Sequence, residues 1–200
     1  RMFTSRAEYR LLLRQDNADI RLTPLAHKIG LASQERMDRV SYKIEKVSEL
    51  KKLIRKTSIE PSKVNQKLVE LGSAEIKQKR KLQEIITRPQ VDLHSLKDVS
   101  PELKNFEDNL TSIQEDIFYQ AEILIKYDNY ISKEEELASK ISNYENMILK
   151  DDFDYLALKS LSYESREKLT QIKPKTIGQA SRISGVSPAD ISVLLIYIGA

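Results

Sequence analysis

Cysteine and tryptophan are absent from this chain of 200 residues, and histidine (two), glycine (five) and proline (six) are scarce. Without cysteine there is no disulfide, no thiolate zinc site and no cysteine nucleophile. His27 and His94 lie too far apart in sequence to suggest a shared metal and read as surface or capping residues. No apolar run approaches the roughly 20 residues that a membrane span needs, and no signal peptide is visible, so a cytoplasmic location is the default expectation. A Gly-rich phosphate loop, a nucleophile elbow and a dinucleotide fingerprint are also missing. The carboxylate runs Glu134-Glu135-Glu136 and Asp151-Asp152 read as solvated faces, because acid/base work needs carboxylates held apart in contrasting environments. No catalytic residue, cofactor site or metal site is expected in this stretch. Its start, Arg1-Met2-Phe3, reads as the interior of a structured segment, so a longer protein is expected.

What is present is charge and helical periodicity. Hydrophobic residues make up 40% and charged residues 32%, with a net charge of +3 that hides an uneven distribution. Residues 1–100 hold 22 Lys/Arg against 13 Asp/Glu, while residues 101–150 hold 5 against 11. A basic half beside an acidic helix suggests an anionic partner for the first and a structural or protein-facing role for the second.

Strand-like alternation is nowhere sustained, which predicts an all-α fold with two long packed amphipathic helices and a small C-terminal helical subdomain. Ser5-Arg6-Ala7-Glu8 reads as a capping box opening a helix to Arg14, broken by Asp16-Asn17-Ala18-Asp19. Thr23-Pro24 is expected to start a short helix that stops at Gly30. From Ser33 to about Lys56, Met37, Val40, Ile44, Val47, Leu50 and Ile54 recur at three- and four-residue steps as one apolar stripe. Pro61 opens a helix ending at Gly72, short helices are expected at 74–80 and 81–87, and a second long helix at about 107–140. A composition shift after Asp151-Asp152-Phe153-Asp154 sets off a terminal subdomain (151–200) from the helical domain before it (23–150), with helices at about 163–171, 177–183 and 188–198.

Three features invite a functional reading. The helix at 33–56 carries Arg36, Arg39, Lys43, Lys46, Lys51, Lys52, Arg55 and Lys56 opposite its apolar stripe, offset by only Glu35, Asp38, Glu45 and Glu49. This is either a solvated helix end that complements the dipole or a surface for nucleic-acid phosphates, which Lys77, Lys79, Arg80 and Lys81 extend. Few aromatics interleave, so shape and backbone recognition of folded RNA fits better than base stacking. Arg6, Arg10 and Arg14, with Arg1 nearby, are expected on one helix face, as structural pairs or ligand contacts. Finally, Thr176 to Ile198 forms two short helices about a turn at Gly185, with Ser187, Pro188 and Asp190 as a capping box. That outline suggests a DNA-reading helix-turn-helix regulator. Its second helix opens on Ser187, Pro188, Ala189 and Asp190, without basic side chains for base edges, and is apolar thereafter. Core packing or a protein-docking surface fits that composition better.

The run Arg1-Met2-Phe3-Thr4-Ser5-Arg6-Ala7-Glu8-Tyr9-Arg10-Leu11-Leu12-Leu13-Arg14-Gln15-Asp16-Asn17-Ala18-Asp19-Ile20-Arg21-Leu22-Thr23 resembles the segment joining the flavin-binding body of the MnmG (GidA) family to its helical C-terminal domain. Lys173-Pro174 and Ile177-Gly178-Gln179-Ala180-Ser181-Arg182-Ile183-Ser184-Gly185-Val186-Ser187-Pro188 resemble that family's C-terminal signature. Arg88-Pro89, Lys126-Tyr127, Tyr130-Ile131, Phe153-Asp154-Tyr155 and Leu161-Ser162 fall between them in the family's order. The middle, about 32–125, matches mainly in helical pattern. Asn129 replaces the family's usual glycine, and Leu149-Lys150 replaces its usual Leu-Pro or Ile-Pro.

The resemblance implies a non-catalytic C-terminal piece of a homodimeric tRNA-modifying flavoprotein. The full-length family uses FAD, NADH and methylene-tetrahydrofolate, and works with the GTPase MnmE to install (carboxymethyl)aminomethyl groups on wobble uridines. Its flavin, NAD and reactive-cysteine motifs belong to the N-terminal body. The helical domain is associated with tRNA binding and MnmE docking. The expected docking residues here are Gly178, Gln179, Arg182, Ile183, Val186 and Leu194 on the terminal helices. A regulator that binds DNA and a purely structural scaffold are the competing readings.

Overall fold

A computed structural model describes residues 9–150 and 153–199, apart from the side chains of 140–143. Among these residues there are eleven α-helices and one ribbon of two two-residue strands, the all-α architecture that the sequence predicts. The chain falls into two compact units, residues 14–129 and residues 130–200 with 1–13.

The unit 14–129 holds α1 (Ala18–Lys28), α2 (Gln34–Lys56), α3 (Pro61–Glu70), α4 (Leu82–Ile86), α5 (Leu93–Leu96), α6 (Pro101–Asp108) and α7 (Gln114–Lys126). Strand β1 (Ser58–Ile59) pairs antiparallel with β2 (Arg80–Lys81). Helix α2 is its axis. Ser33 caps it, the hydroxyl accepting the Arg36 N–H at 3.3 Å. Val47, Leu50 and Ile54 of α2 pack against Ile117, Phe118, Ala121 and Ile125 of α7, and the short helices close the core with Val64, Leu68, Leu82, Ile85, Ile86, Leu93, Leu96 and Leu103.

Several expectations change here. Only α2 is long. The helix expected at 107–140 is divided: α6 ends at Asp108, Ile113 takes a left-handed backbone (φ 50°) ahead of α7, and Tyr127 closes α7. Asn109 donates its side-chain amide to the Asn105 carbonyl at 2.7 Å, and the Thr111 N–H donates to the Tyr42 hydroxyl at 3.0 Å. Such local bonds compete with helix continuation. Residues 10–13 form a turn rather than the end of a helix, with the Leu13 N–H on the Tyr9 carbonyl. Pro24 lies inside α1 instead of starting it. Helix α1 ends as expected at Gly30 (φ 79°), where the Gly30 N–H donates to His27 and the Leu31 N–H to Ala26. Only glycine enters that left-handed position without a Cβ penalty. Residues 74–79 are not helical, and β2 precedes α4.

The other unit contains most of α8 (Asp128–Asn143), then α9 (Tyr163–Ile172), α10 (Ile177–Ser181) and α11 (Pro188–Ile198). Leu149, Tyr155, Leu158, Leu161, Leu169, Ile177, Ala180, Val186, Ile191, Leu194 and Leu195 form its core. Backbone bonds tie residues 145–149 to the segment that leads into α10. The Leu149 N–H donates to Lys175, the Ile177 N–H to Met147 and the Gly178 N–H to Glu145.

Candidate nucleic-acid interface and partner surface

The eight cations of α2 do not share one face. At about 100° per residue they spread around the whole circumference. Lys43 falls on the buried stripe with Val40, Val47, Leu50 and Ile54; it is 6% exposed, while Ile44, expected inside, is 43% exposed. The Lys43 ammonium donates to Asp19 Oδ2 at 2.9 Å and to the Asp16 carbonyl at 3.3 Å. It is therefore a paired core cation and is removed from the phosphate-binding set. Lys46 is half-buried and bonded to Glu49 at 2.8 Å, with Tyr42 beneath it. The Glu49 bond raises its pKa above the ordinary lysine value, against a smaller opposing effect of burial. Arg36 and Arg39 line a cleft of about 330 Å³ that Asp19, Glu35 and Asp116 also line, so their field is locally offset.

The C-terminal end of α2 is different. Lys52, Arg55 and Lys56 are exposed and Lys51 half-exposed. Ribbon pairing of Ser58 with Lys81 and Ile59 with Arg80 places β2 beside this end, and Lys81 Nζ donates to the Lys56 carbonyl at 2.8 Å. The sequence suspected that 77–81 extend the basic region, and the ribbon supplies the link. Arg55 pairs with Asp128 at 3.3 Å, Lys79 with Glu60 at 3.2 Å and Arg80 with Glu84 at 3.2 Å, all at exposed positions where ion pairs are weak and exchangeable. Lys51, Lys52, Lys56 and Lys77 make no ion pair among the described residues.

Arg1 and Arg6 lie outside the described residues. Arg10 and Arg14 are not in a helix, so no helix face aligns these two; the Arg14 guanidinium holds the Asp16 carboxylate at 3.0 Å. His27 acts as a cap, its Nδ1 lying 3.0 Å from the Ala32 carbonyl.

Of the six residues expected to dock a partner, Gly178, Val186 and Leu194 are in the core of their unit and unavailable for contact. Their apolar or small character serves folding. A Cβ at Gly178 would lie 2.3 Å from Glu145 Cγ and 2.8 Å from the Glu145 carbonyl oxygen, so glycine there lets α10 approach the 145–149 segment. Ile183 is half-buried, and Gln179 and Arg182 are exposed. Gln179 Oε1 accepts the Lys175 N–H at 2.7 Å, and Arg182 pairs with Glu145. Helix α11 contributes exposed Ile196 (77%) and Tyr197 (66%), both in its apolar run.

Asp190 bears on the DNA-reading alternative. It is 5% exposed, and its carboxylate accepts the Ser162 N–H at 2.9 Å, the Ser187 N–H at 2.9 Å and the Ser187 hydroxyl at 2.7 Å. One carboxylate thus joins the caps of α9 and α11. The first turn of α11 presents only Pro188 and Ala189 between the cap and Asp190, with no side-chain donor for a base edge. Among the described residues, no group of three or more His, Asp or Glu side chains is placed to hold a metal, and no helix is long and apolar enough to cross a membrane.

Residues 34–135 match the family model described as the tRNA modifying enzyme MnmG/GidA C-terminal helical domain, and residues 137–200 that of the MnmG/GidA C-terminal helical bundle. The Cytophaga hutchinsonii tRNA uridine 5-carboxymethylaminomethyl modification enzyme MnmG is 50% identical over 199 residues, covering 100% of this chain and 32% of the relative. The Parabacteroides distasonis protein of the same name is 46% identical over 200 residues, with the same coverage. The chain thus spans about a third of the length of these relatives. Aquifex aeolicus GidA in its form II crystal is 31% identical with a TM-score of 0.58, covering 100% of this chain and 30% of that one. Both parts of the chain, and the motifs at its two ends, lead to the same conclusion: it belongs to the MnmG/GidA family of tRNA-modifying enzymes, as its C-terminal helical portion.

Proposed function

We propose that this portion holds tRNA for a wobble-uridine modification enzyme, with the C-terminal end of α2 and strand β2 as the phosphate-contacting surface. The observation that carries the reading is that the ribbon sets Arg80 and Lys81 beside Lys56, at the end of α2 that also carries Lys51 and Lys52 and where only exposed, exchangeable carboxylates compete. Arg36 and Arg39 share their cleft with three carboxylates and Lys43 is buried, so these three contribute little to an RNA surface. Side chains of this kind contact a folded RNA through its phosphates and its shape.

Charge reversal of Lys51 and Lys52 to Glu tests the reading. The affinity of the protein for tRNA is expected to fall. The slope of log affinity against log salt is expected to flatten by about 0.7–0.9 for each phosphate that is no longer neutralised. Unchanged affinity and slope would exclude this end of α2.

The second surface belongs to the terminal helices, which we propose as the docking site for a GTPase partner of the MnmE type through Gln179, Arg182, Ile183, Ile196 and Tyr197. The exposure of Ile196 and Tyr197 on α11, on the same terminal module as exposed Gln179 and Arg182 of the α10 region, favours a protein partner over nucleic acid. FAD and NADH chemistry, use of the folate one-carbon donor and homodimer formation are assigned to the full-length enzyme, acting in the cytoplasm.

A further inference from the structure

Helix α1 packs on α2 with its polar side. At about 100° per residue, Ala18, Leu22, Leu25 and Ile29 align along one side of α1, while Asp19, Thr23 and His27 follow another line. The polar line is turned inward. Asp19 holds the buried Lys43 ammonium at 2.9 Å, Thr23 is 2% exposed, and His27 caps the helix end. The apolar line is turned outward: Leu22 is 54% exposed, Leu25 64%, Ile29 69% and the adjoining Leu31 79%. A lone exposed leucine needs no explanation, but four large apolar side chains on one short helix and its cap form a patch. An amphipathic helix with nothing else to bury would present the opposite side to its neighbour.

We infer that this stripe is covered by the N-terminal portion of the full-length protein, the polypeptide that precedes Arg1. The matched stretch is 32% of the Cytophaga relative over 199 residues, which leaves roughly 420 residues of such a protein outside it. Both matched family models are C-terminal ones, so that remainder comes first in the chain. The family's helical-domain model begins at residue 34, after α1 has ended. Helix α1 therefore stands at the seam. A partner tethered this closely acts at high effective concentration and covers the stripe without needing independent affinity. The inward Asp19–Lys43 pair sets the rotation of α1 on α2, and the outward leucines meet the preceding domain. The inference needs no tRNA and stands or falls apart from the RNA-binding proposal.

Thiol accessibility in the full-length protein tests it. Single variants Leu25→Cys and Ile29→Cys, and Lys104→Cys on exposed α6 as reference, are treated with a charged maleimide and the modified peptides are quantified by mass. Replacing outward residues leaves the core intact, and circular dichroism checks each variant. Modification at 25 and 29 is expected to be roughly tenfold or more slower than at 104, and to stay slow on dilution to monomer, as for a surface buried by its own chain. Rates equal to that at 104 overturn the inference. Slow modification that becomes fast on dilution also overturns it, and assigns the stripe to a second copy instead.

Discussion

At the scale of single residues, burial separates side chains that hold the fold from those free to meet a partner. Asp190 is the clearest case. Burial alone pushes its carboxyl pKa up, but the Ser162 N–H and the Ser187 hydroxyl and N–H together outweigh burial and hold it below the ordinary carboxylate value. A folded-state pKa depressed in this way adds stability that is fully present above the unfolded value and is lost as pH falls through the folded one. Asp190→Asn has one acceptor oxygen for donors that now use two, so it is expected to cost about 1–3 kcal/mol near neutral pH. The difference between variant and parent should shrink as pH falls below the ordinary carboxylate range, where the parent carboxylate protonates. Urea unfolding of both proteins across that range checks it; a constant difference would remove the carboxylate's charge from the account. Leu194 and Arg182 make the complementary comparison. Leu194 is fully buried, so Leu194→Ala is expected to destabilise by about 2–5 kcal/mol. Arg182→Ala, at an exposed ion pair, is expected to leave stability within roughly 1 kcal/mol while weakening binding of the GTPase.

At the scale of elements, α10 depends on one close approach. Its second residue, Gly178, sends its N–H to the Glu145 carbonyl at 2.9 Å, and Ile148 bridges Thr176 beside it. Gly178→Ala puts a methyl where Glu145 Cγ and its backbone carbonyl stand; the side chain can swing away, but the carbonyl cannot without moving the segment. A loss of about 1–3 kcal/mol is expected, measurable as a lower denaturant midpoint, and an unchanged midpoint would show that the segment yields freely. This close approach also marks what the sequence could and could not convey. Caps and periodicity made α2, α3 and α11 legible, because Ser33, Pro61 and Ser187 carry their signals locally. The division of the expected second long helix was not legible, since its apolar spacing continues across the left-handed Ile113 and the anchor is Tyr42 of another helix. The candidate RNA surface was half legible. Counting cations on α2 found the C-terminal cluster but also took in Lys43, because a lysine on a core stripe reads like its solvated neighbours until its partner Asp19 is placed.

At the scale of the whole molecule, the two units have separate cores, and a truncation therefore acts on one of them. Deleting residues 174–200 removes Ile177, Ala180, Val186, Ile191, Leu194 and Leu195, about half the buried apolar residues of the 130–199 core. It also removes the Lys175 and Ile177 backbone groups that bond the 147–149 segment and the Asp190 carboxylate that bonds the cap of α9. The core of 14–129 contains none of these residues. The truncated chain is expected to keep slow amide exchange in α2 and α7 while α9 exchanges at the rate of an open helix, since local stability follows the packing that remains. Loss of protection in α2 as well would show that the units fold as one. If α9 opens, a failed capture of the GTPase by the truncated protein reports an unfolded unit and says nothing of docking. Support for docking must therefore come from exposed positions, where Arg182→Ala and Ile196→Ser leave the core whole and change only the surface offered to the partner.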